Sequence, residues 1–435
     1  MEEKIVILGN GFDLRHFLPT SYNHLISILC EIEKLPEAKK SISFSDLFDG
    51  VFKEKNEWFY NQINEYYQTE NFIFDLEEIK SIQNRLGENS WFQYFKSVDE
   101  NKIETWIDFE TEIERILLSV LEYFESFNKS EFKKPRYAGL NGNPVFFVPI
   151  ALEKEFFKNK LQISLLKFFG LFHEDGHNLN VFEKFILNIG NEIQYYKERD
   201  FLNFIYISLE NFVGIFNDYI ISVINVFYKN LRREKMENFT VKDDHFIFEK
   251  TNQVFSFNYT STLVNFYSSK VKARQLEGII GSQYQPIHGL AKNDWGSNLE
   301  NLTIVLGVDD INNSLKKHKL FQFTKYFQKL HKRTDYLFLD SYKEKIRKYD
   351  GRRITFYFWG HSLDYSDRQY IKEIFDLVST INGCKIKIFY HSISAKGDQL
   401  KNLLGIIEKE KIEKFMKDKT IEFIESTSEN LFKEL

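Results

Sequence analysis

The sequence predicts an α/β protein, a Rossmann-like parallel sheet carrying a large α-helical insertion and a helical C-terminal tail. Three observations predict it. Five short runs are almost wholly apolar and stop abruptly at Gly or a polar residue, which is how strands covered on both faces read. The first run passes directly into GNGFD, so a strand, a glycine turn and a helix start follow one another. Between about Phe44 and Phe248 the pattern changes to aromatic and aliphatic residues at helical spacing among Lys, Glu and Asn.

The five runs are Ile5–Leu8, Val254–Phe257, Leu302–Leu306, Ile354–Trp359 and Ile386–Tyr390. The first four run into, respectively, GNGFD, Asn258-Tyr259-Thr260, Gly307 with a pair of acids, and Gly360-His361-Ser362. In an open parallel sheet these strand ends form the crevice where ligands bind, so the polar residues converge there. ETWIDFETEIERILLSVLEYF and FLNFIYISLENFVGIFNDYIISVINVFY are the clearest helical stretches, and Tyr137–Pro144 reads as a loop between them. After Tyr390 come charged helices and a final strand, Thr420–Glu425. The expected organisation is a discontinuous core of residues 1–40 and 249–395, an insertion of residues 41–248, and a C-terminal helical segment of residues 396–435.

At 435 residues and 43% hydrophobic content, with 45 Phe and 23 Tyr, the chain can fill large cores. Its formal net charge of −5 supplies no general attraction to phosphate backbones or anionic membranes, which argues against a nucleic-acid partner. The apolar run at the N-terminus is too short for a signal peptide, and no segment reads as an unbroken span of a bilayer, so a cytoplasmic protein is expected. Cys30 and Cys384 are too far apart for a thiolate metal site, and no metal is expected.

A Gly-x-Gly turn between a strand and a helix lets backbone approach a ligand and turns free N–H groups toward an anion. The alternative is a tight turn in which Asp13 caps the helix. GNGFDLRHFLPTSY resembles the opening signature of the bacteriophage abortive infection AbiH family, with Phe17 standing where that family usually shows glycine. The resemblance continues through SWFQYF (Ser90–Phe95), WIDFE (Trp106–Glu110), FNYT (Phe257–Thr260), IHG (Ile287–Gly289) and GHSLDYSD (Gly360–Asp367). A more distant similarity joins Gly9-Asn10-Gly11, Leu18-Pro19, Phe257-Asn258, His288-Gly289 and Gly360–Leu363 to the ordered motifs of sirtuin-type NAD-binding folds. Asp13 and Thr20-Ser21-Tyr22 depart from that pattern. The zinc-binding Cys pairs are missing, which argues against a protein deacylase.

These resemblances imply a phage-defence role with NAD as substrate or ligand. They imply Asn258 and His288 as catalytic residues, Asn258 orienting a ribose or an attacking water and His288 acting as general base. They imply a nucleotide seat built from Gly9, Asn10, Gly11, Phe12, Asp13, Pro19, Thr20, Ser21, Tyr22, Gly289, Gly307, Gly360, His361 and Ser362. On the residues alone, Asn258 also fits a strand-ending turn and His288 a loop position. Asp364 and Asp367 fit the start of a helix. Asp108 and Glu110 fit either a solvated or ion-paired face or a lid over the crevice.

Three functions remain open at this stage: hydrolysis of the nicotinamide–ribose bond, metal-assisted phosphodiester hydrolysis through His288, His361, Asp364 and Asp367, and a nucleotide-sensing module that docks a phage or host protein. The insertion also suits an interface for a phage-derived trigger or for a second copy of the chain.

Overall fold

The computed structural model of the chain describes residues 2–98, 106–129, 165–175, 178–189, 192–232, 251–267, 284–293, 298–309, 318–334, 338–339 and 353–435, with a few short stretches between them. Its centre is a six-stranded sheet. The strands are β1 (Glu2–Leu8), β2 (Gln253–Ser256), β3 (Tyr284–Pro286), β4 (Arg353–Trp359), β5 (Cys384–Tyr390) and β6 (Ile421–Glu425). All neighbours pair in parallel, in the order β3-β2-β1-β4-β5-β6. The chain therefore builds outward from β1 on one side, returns, and builds outward again on the other.

β1 is buried from Ile5 to Leu8 and β4 from Ile354 to Trp359, which explains their continuous apolar runs. Ile5, Ile7, Phe255, Phe356, Phe358, Ile386 and Ile388 form one core with Ile371, Ile374 and Phe375 of the helix Arg368–Thr380. Each such side chain, once buried, contributes about 1.5–3 kcal/mol. Register then places the functional stretches. Leu8 lies opposite both Ser256 and Trp359, and Ser256 lies opposite Pro286. Gly9, Phe257, Ile287 and Gly360 consequently leave the sheet at one level.

Two strand expectations change. Leu302–Leu306 is largely buried but pairs with no strand among the described residues; Val305 N–H donates to the His288 carbonyl at 2.9 Å, and the Ile304 carbonyl accepts from Lys332 Nζ at 2.7 Å. Side chains and a loop satisfy its backbone, so its apolar run imitates a buried strand. The edge strand β3, Tyr-Gln-Pro, carries no apolar run, and its half-buried position tolerates the proline. The tail is integral to the sheet, because β6 extends it beyond β5.

The chain gathers into two compact units, one of Met1–Gln83, Phe216–Leu306 and Lys329–Leu435, the other of Asn84–Ile215 and Gly307–Gln328. The second unit contains the helices Ser90–Ser97 and Trp106–Lys129 and nearly all of Glu198–Tyr219. The insertion also includes short antiparallel strands, among them Phe172–Asp175 with Asn178–Val181 and Ile186–Ile189 with Glu192–Tyr196. In the sequence Asp175-Gly176 and Gly190-Asn191 are dipeptides that favour tight turns, a signal that the helical reading passed over. Positions 138–143 of the expected loop Tyr137–Pro144 lie outside the described residues. Among the described residues one helical run, Glu198–Asn230, is long and apolar enough to cross a membrane, and 78% of its apolar window is buried within the protein.

Candidate functional site

The GNG turn is built by close backbone approach. A Cβ on Gly9 would stand 2.6 Å from the Gly360 carbonyl oxygen, and one on Gly360 would stand 2.3 Å from Phe12 N. Gly360 also has φ +69°, a conformation that favours glycine. The N–H groups of Gly9, Gly11 and Phe12 donate to the carbonyls of Trp359, Gly360 and Gly9 at 2.8–3.0 Å. These glycines thus lock the end of β1 onto the end of β4, and their packing alone requires glycine.

The following LPTSY segment is tied in by its polar atoms. Thr20 Oγ1 donates to Asn10 Oδ1 at 2.7 Å, the Pro19 carbonyl accepts from Tyr219 OH at 2.7 Å, and Ser21 caps the helix Tyr22–Lys34. Phe17 takes φ +53°, the left-handed conformation for which a glycine would be suited. Its ring packs among Trp58, Phe59 and Tyr66, which offsets the roughly 1–2 kcal/mol that a side chain costs there. The turn geometry survives the loss of glycine.

Asp13 does not cap a helix. It is 1% exposed, and its Oδ2 accepts from Thr260 Oγ1 at 2.7 Å. Thr262 donates on to Thr260, and Tyr228 OH lies 2.9 Å from Thr262 Oγ1. Burial raises the Asp13 carboxyl to a pKa of about 6, against the opposing hydrogen bonds of Thr260, Thr262 and Asn258. Asp13 Oδ1 and Asn258 Oδ1 are both buried and both without a hydrogen-bond donor. Two acceptors in one buried polar cluster call for a ligand or water that carries donors.

A second cluster lies around the Phe257 ring, whose centroid is 5.0 Å from that of His288, 4.7 Å from His361 and 5.1 Å from Tyr370. His288 Nε2 is 3.1 Å from Asp367 Oδ1, and His361 Nε2 is 3.5 Å from Asp367 Oδ2. All three side chains are buried. Gly289, at φ +85° and with its Cβ position 2.0 Å from the Thr303 carbonyl oxygen, fixes the backbone beside His288. Lys329 Nζ sits 4.0 Å from the centroid of the Tyr370 ring.

The structure thus brings Gly9–Asp13, Thr20, Asn258, His288, Gly289, Gly360 and His361 to the C-terminal edge of the sheet. Ser362 is there but exposed, its carbonyl accepting from Asn402. Gly307 belongs to the second unit, where a Cβ would meet the Phe323 carbonyl oxygen at 2.3 Å. Sequence reasoning passed over Tyr370, named Thr260 only as part of the polar stretch after a strand, and read Asp367 as a helix-start acid or a metal ligand. Asp364 does what a helix-start acid does, accepting from Ser366 N–H, but Asp367 turns inward to the histidines. A second acid just past the strand-end histidine, in GHSLDYSD, was the available signal.

The bacteriophage abortive infection AbiH family matches residues 5–390, most of the chain and every stretch described above. The protein belongs to the AbiH family. No curated protein and no solved structure matches it at a significant level. The two AbiH-like stretches of the second unit are accounted for by packing. In SWFQYF, Trp91 Nε1 donates to the Ile205 carbonyl at 3.0 Å. In WIDFE, Glu110 forms a buried ion pair with Lys325 at 2.8 Å, so this acid anchors the unit's interior and is not a solvated face.

Proposed function

We propose that this abortive-infection protein binds NAD or a related nucleotide at the C-terminal edge of its sheet and hydrolyses the nicotinamide–ribose bond, depleting the infected cell of nucleotide. The observation that carries this reading is the strand order, which reverses between β1 and β4 just where GNGFD and GHS emerge. Dinucleotides bind at such a reversal in open α/β sheets. The donor-seeking oxygens of Asp13 and Asn258 suit ribose hydroxyls. The ordered sirtuin-like motifs support the same ligand.

Breaking the nicotinamide–ribose bond builds positive charge on the ribose, and the leaving group departs neutral. Asn258 would orient the ribose or the attacking water through its amide. His288 would take the proton of that water, and the buried acids Asp13 and Asp367 would favour the developing cation. Nicotinamide release from NAD by the purified protein tests this, beside Asn258→Ala and His288→Ala. Release by wild type and its loss in both folded variants is the expected result; equal release by the variants removes these residues from the reaction.

A nucleotide-gated sensor is the second reading, favoured by one observation. Asp13, Asn258 and His288 are each at least 95% buried, which suits a site that a ligand must open. Thermal stabilisation by NAD or ADP-ribose without nicotinamide release would select it. Metal-assisted hydrolysis finds no arranged ligand set of three or more His, Cys, Asp or Glu among the described residues.

A further inference from the structure

We infer that the Asp13–Asn258 cluster is a sugar seat, taking the hydroxyl groups of an unphosphorylated ribose, and that the neighbouring GNG turn holds no phosphate. The inference rests on the nucleotide reading above and deepens it, because it names the part of the ligand that meets GNGFD. A glycine turn holds an anion through N–H groups that have no other partner. Here the N–H groups of Gly9, Gly11 and Phe12 already donate to carbonyls of the chain. The space that glycine opens is filled as well. A Cβ on Gly9 or Gly11 would meet the Gly360 carbonyl oxygen at 2.6 or 3.0 Å, so backbone from the end of β4 occupies the place an anion would need.

The cluster itself offers acceptors. Asp13 is 1% exposed and Asn258 5%, and the Oδ1 atom of each is buried without a hydrogen-bond donor. The nearby hydroxyl protons are spent in one direction: Thr262 Oγ1 donates to Thr260 Oγ1 at 3.0 Å, and Thr260 Oγ1 donates to Asp13 Oδ2 at 2.7 Å. Hydrogen bonds from Thr260, Thr262 and Asn258 act on the Asp13 carboxyl, and among the described residues no Lys, Arg or His does. The titratable groups that sense its charge are Tyr67, Tyr228 and Tyr284, and none of them becomes positive. A phosphodiester brings only acceptors and a second negative charge, so this cluster repels it. A ribose brings uncharged hydroxyl donors, one for each orphaned oxygen, and removes the penalty of leaving both unpaired.

Isothermal calorimetry on the full-length protein tests the seat with ADP-ribose and with inorganic pyrophosphate, which carries no sugar. Asp13→Asn keeps the shape and an acceptor but loses the charge. It is expected to weaken ADP-ribose about tenfold or more, while pyrophosphate binds it no more weakly than wild type. Asn258→Leu removes the second acceptor and is expected to weaken ADP-ribose likewise. The gap between wild type and Asp13→Asn should widen from pH 5 to 7, as the wild-type carboxyl passes its pKa of about 6 and becomes the stronger acceptor. ADP-ribose bound by either variant as tightly as by wild type overturns the inference, and tighter binding by Asp13→Asn marks a phosphate beside the acid.

Adenosine and D-ribose separate the seat from the NAD reading. Thermal stabilisation of wild type by either of them, lost in Asp13→Asn, with none by NAD or ADP-ribose, keeps the seat and refutes the dinucleotide. No stabilisation by any of these compounds at millimolar concentration overturns the seat.

Discussion

Replacing Asp13 with Asn should make the protein more stable at neutral pH and leave it little changed in acid. The carboxyl is 1% exposed and its pKa is raised from 3.8 to about 6 by burial. A folded-state pKa above the unfolded one gives stability that is fully present below pH 3.8 and is lost as pH rises through about 6. About two units at 1.36 kcal/mol each amount to a cost of roughly 3 kcal/mol once the group is ionised. The amide of Asp13→Asn would keep an acceptor for Thr260 and carry no charge. Urea unfolding of both proteins, followed by tryptophan fluorescence from pH 4 to 8, should give similar stabilities at the acid end. The variant should lead by about 1–3 kcal/mol at the basic end. A difference that does not vary with pH, or a variant weaker at pH 8, would refute the buried-charge reasoning. The cost also has a functional reading, because a ligand hydroxyl donated to Asp13 Oδ1 would offset it.

His24 is buried against the Phe52 and Phe59 rings, and burial lowers its pKa from 6.5 to about 3. Its contribution is present above pH 6.5 and is lost as pH falls toward 3, so His24→Phe should reduce acid sensitivity by about 1.4 kcal/mol per pH unit in that window, read by thermal unfolding at pH 4 to 7. Breaking the buried Glu110–Lys325 pair by Lys325→Met should destabilise the second unit by about 3–5 kcal/mol, and adding Glu110→Leu should recover most of it in denaturant unfolding. Gly360→Ala should prevent stable folding of the sheet edge, because both the positive φ and the 2.3 Å approach to Phe12 N forbid a Cβ; a soluble variant with wild-type melting would contradict the turn geometry.

The sequence by itself determined most of the central strands. The buried part of β1 and nearly all of β4 could be read from their apolar runs, β5 was read from its C-terminal half although Lys385 and Lys387 give it a polar face, and the helical period of the insertion followed from burial in the same way. It also placed Asn258 and Gly360-His361 at strand ends, since a polar residue after an apolar run has few other places to be, whereas His288 read only as a loop position or through the family resemblance. Leu302–Leu306 misled, because burial leaves the same apolar pattern whether backbone pairing is with a strand or with a loop. β3 was invisible, because an edge strand of three residues carries neither alternation nor an apolar run.

Tertiary structure alone decided what the polar residues face. The reversal of strand order between β1 and β4 depends on pairing partners that are distant in sequence, and no local pattern encodes it. The same holds for acids of identical type. Asp364 and Asp367 are three positions apart in one helix start, yet one caps the backbone while the other meets two histidines brought in by β3 and β4. Asp13 read as a helix cap or a ribose acceptor, and it acquired its buried, proton-holding environment only when β2 delivered Asn258 and Thr260 beside it. Local chemistry fixes which groups a chain can use; desolvation and partners, which fold topology supplies, fix the charge they carry and the work they can do.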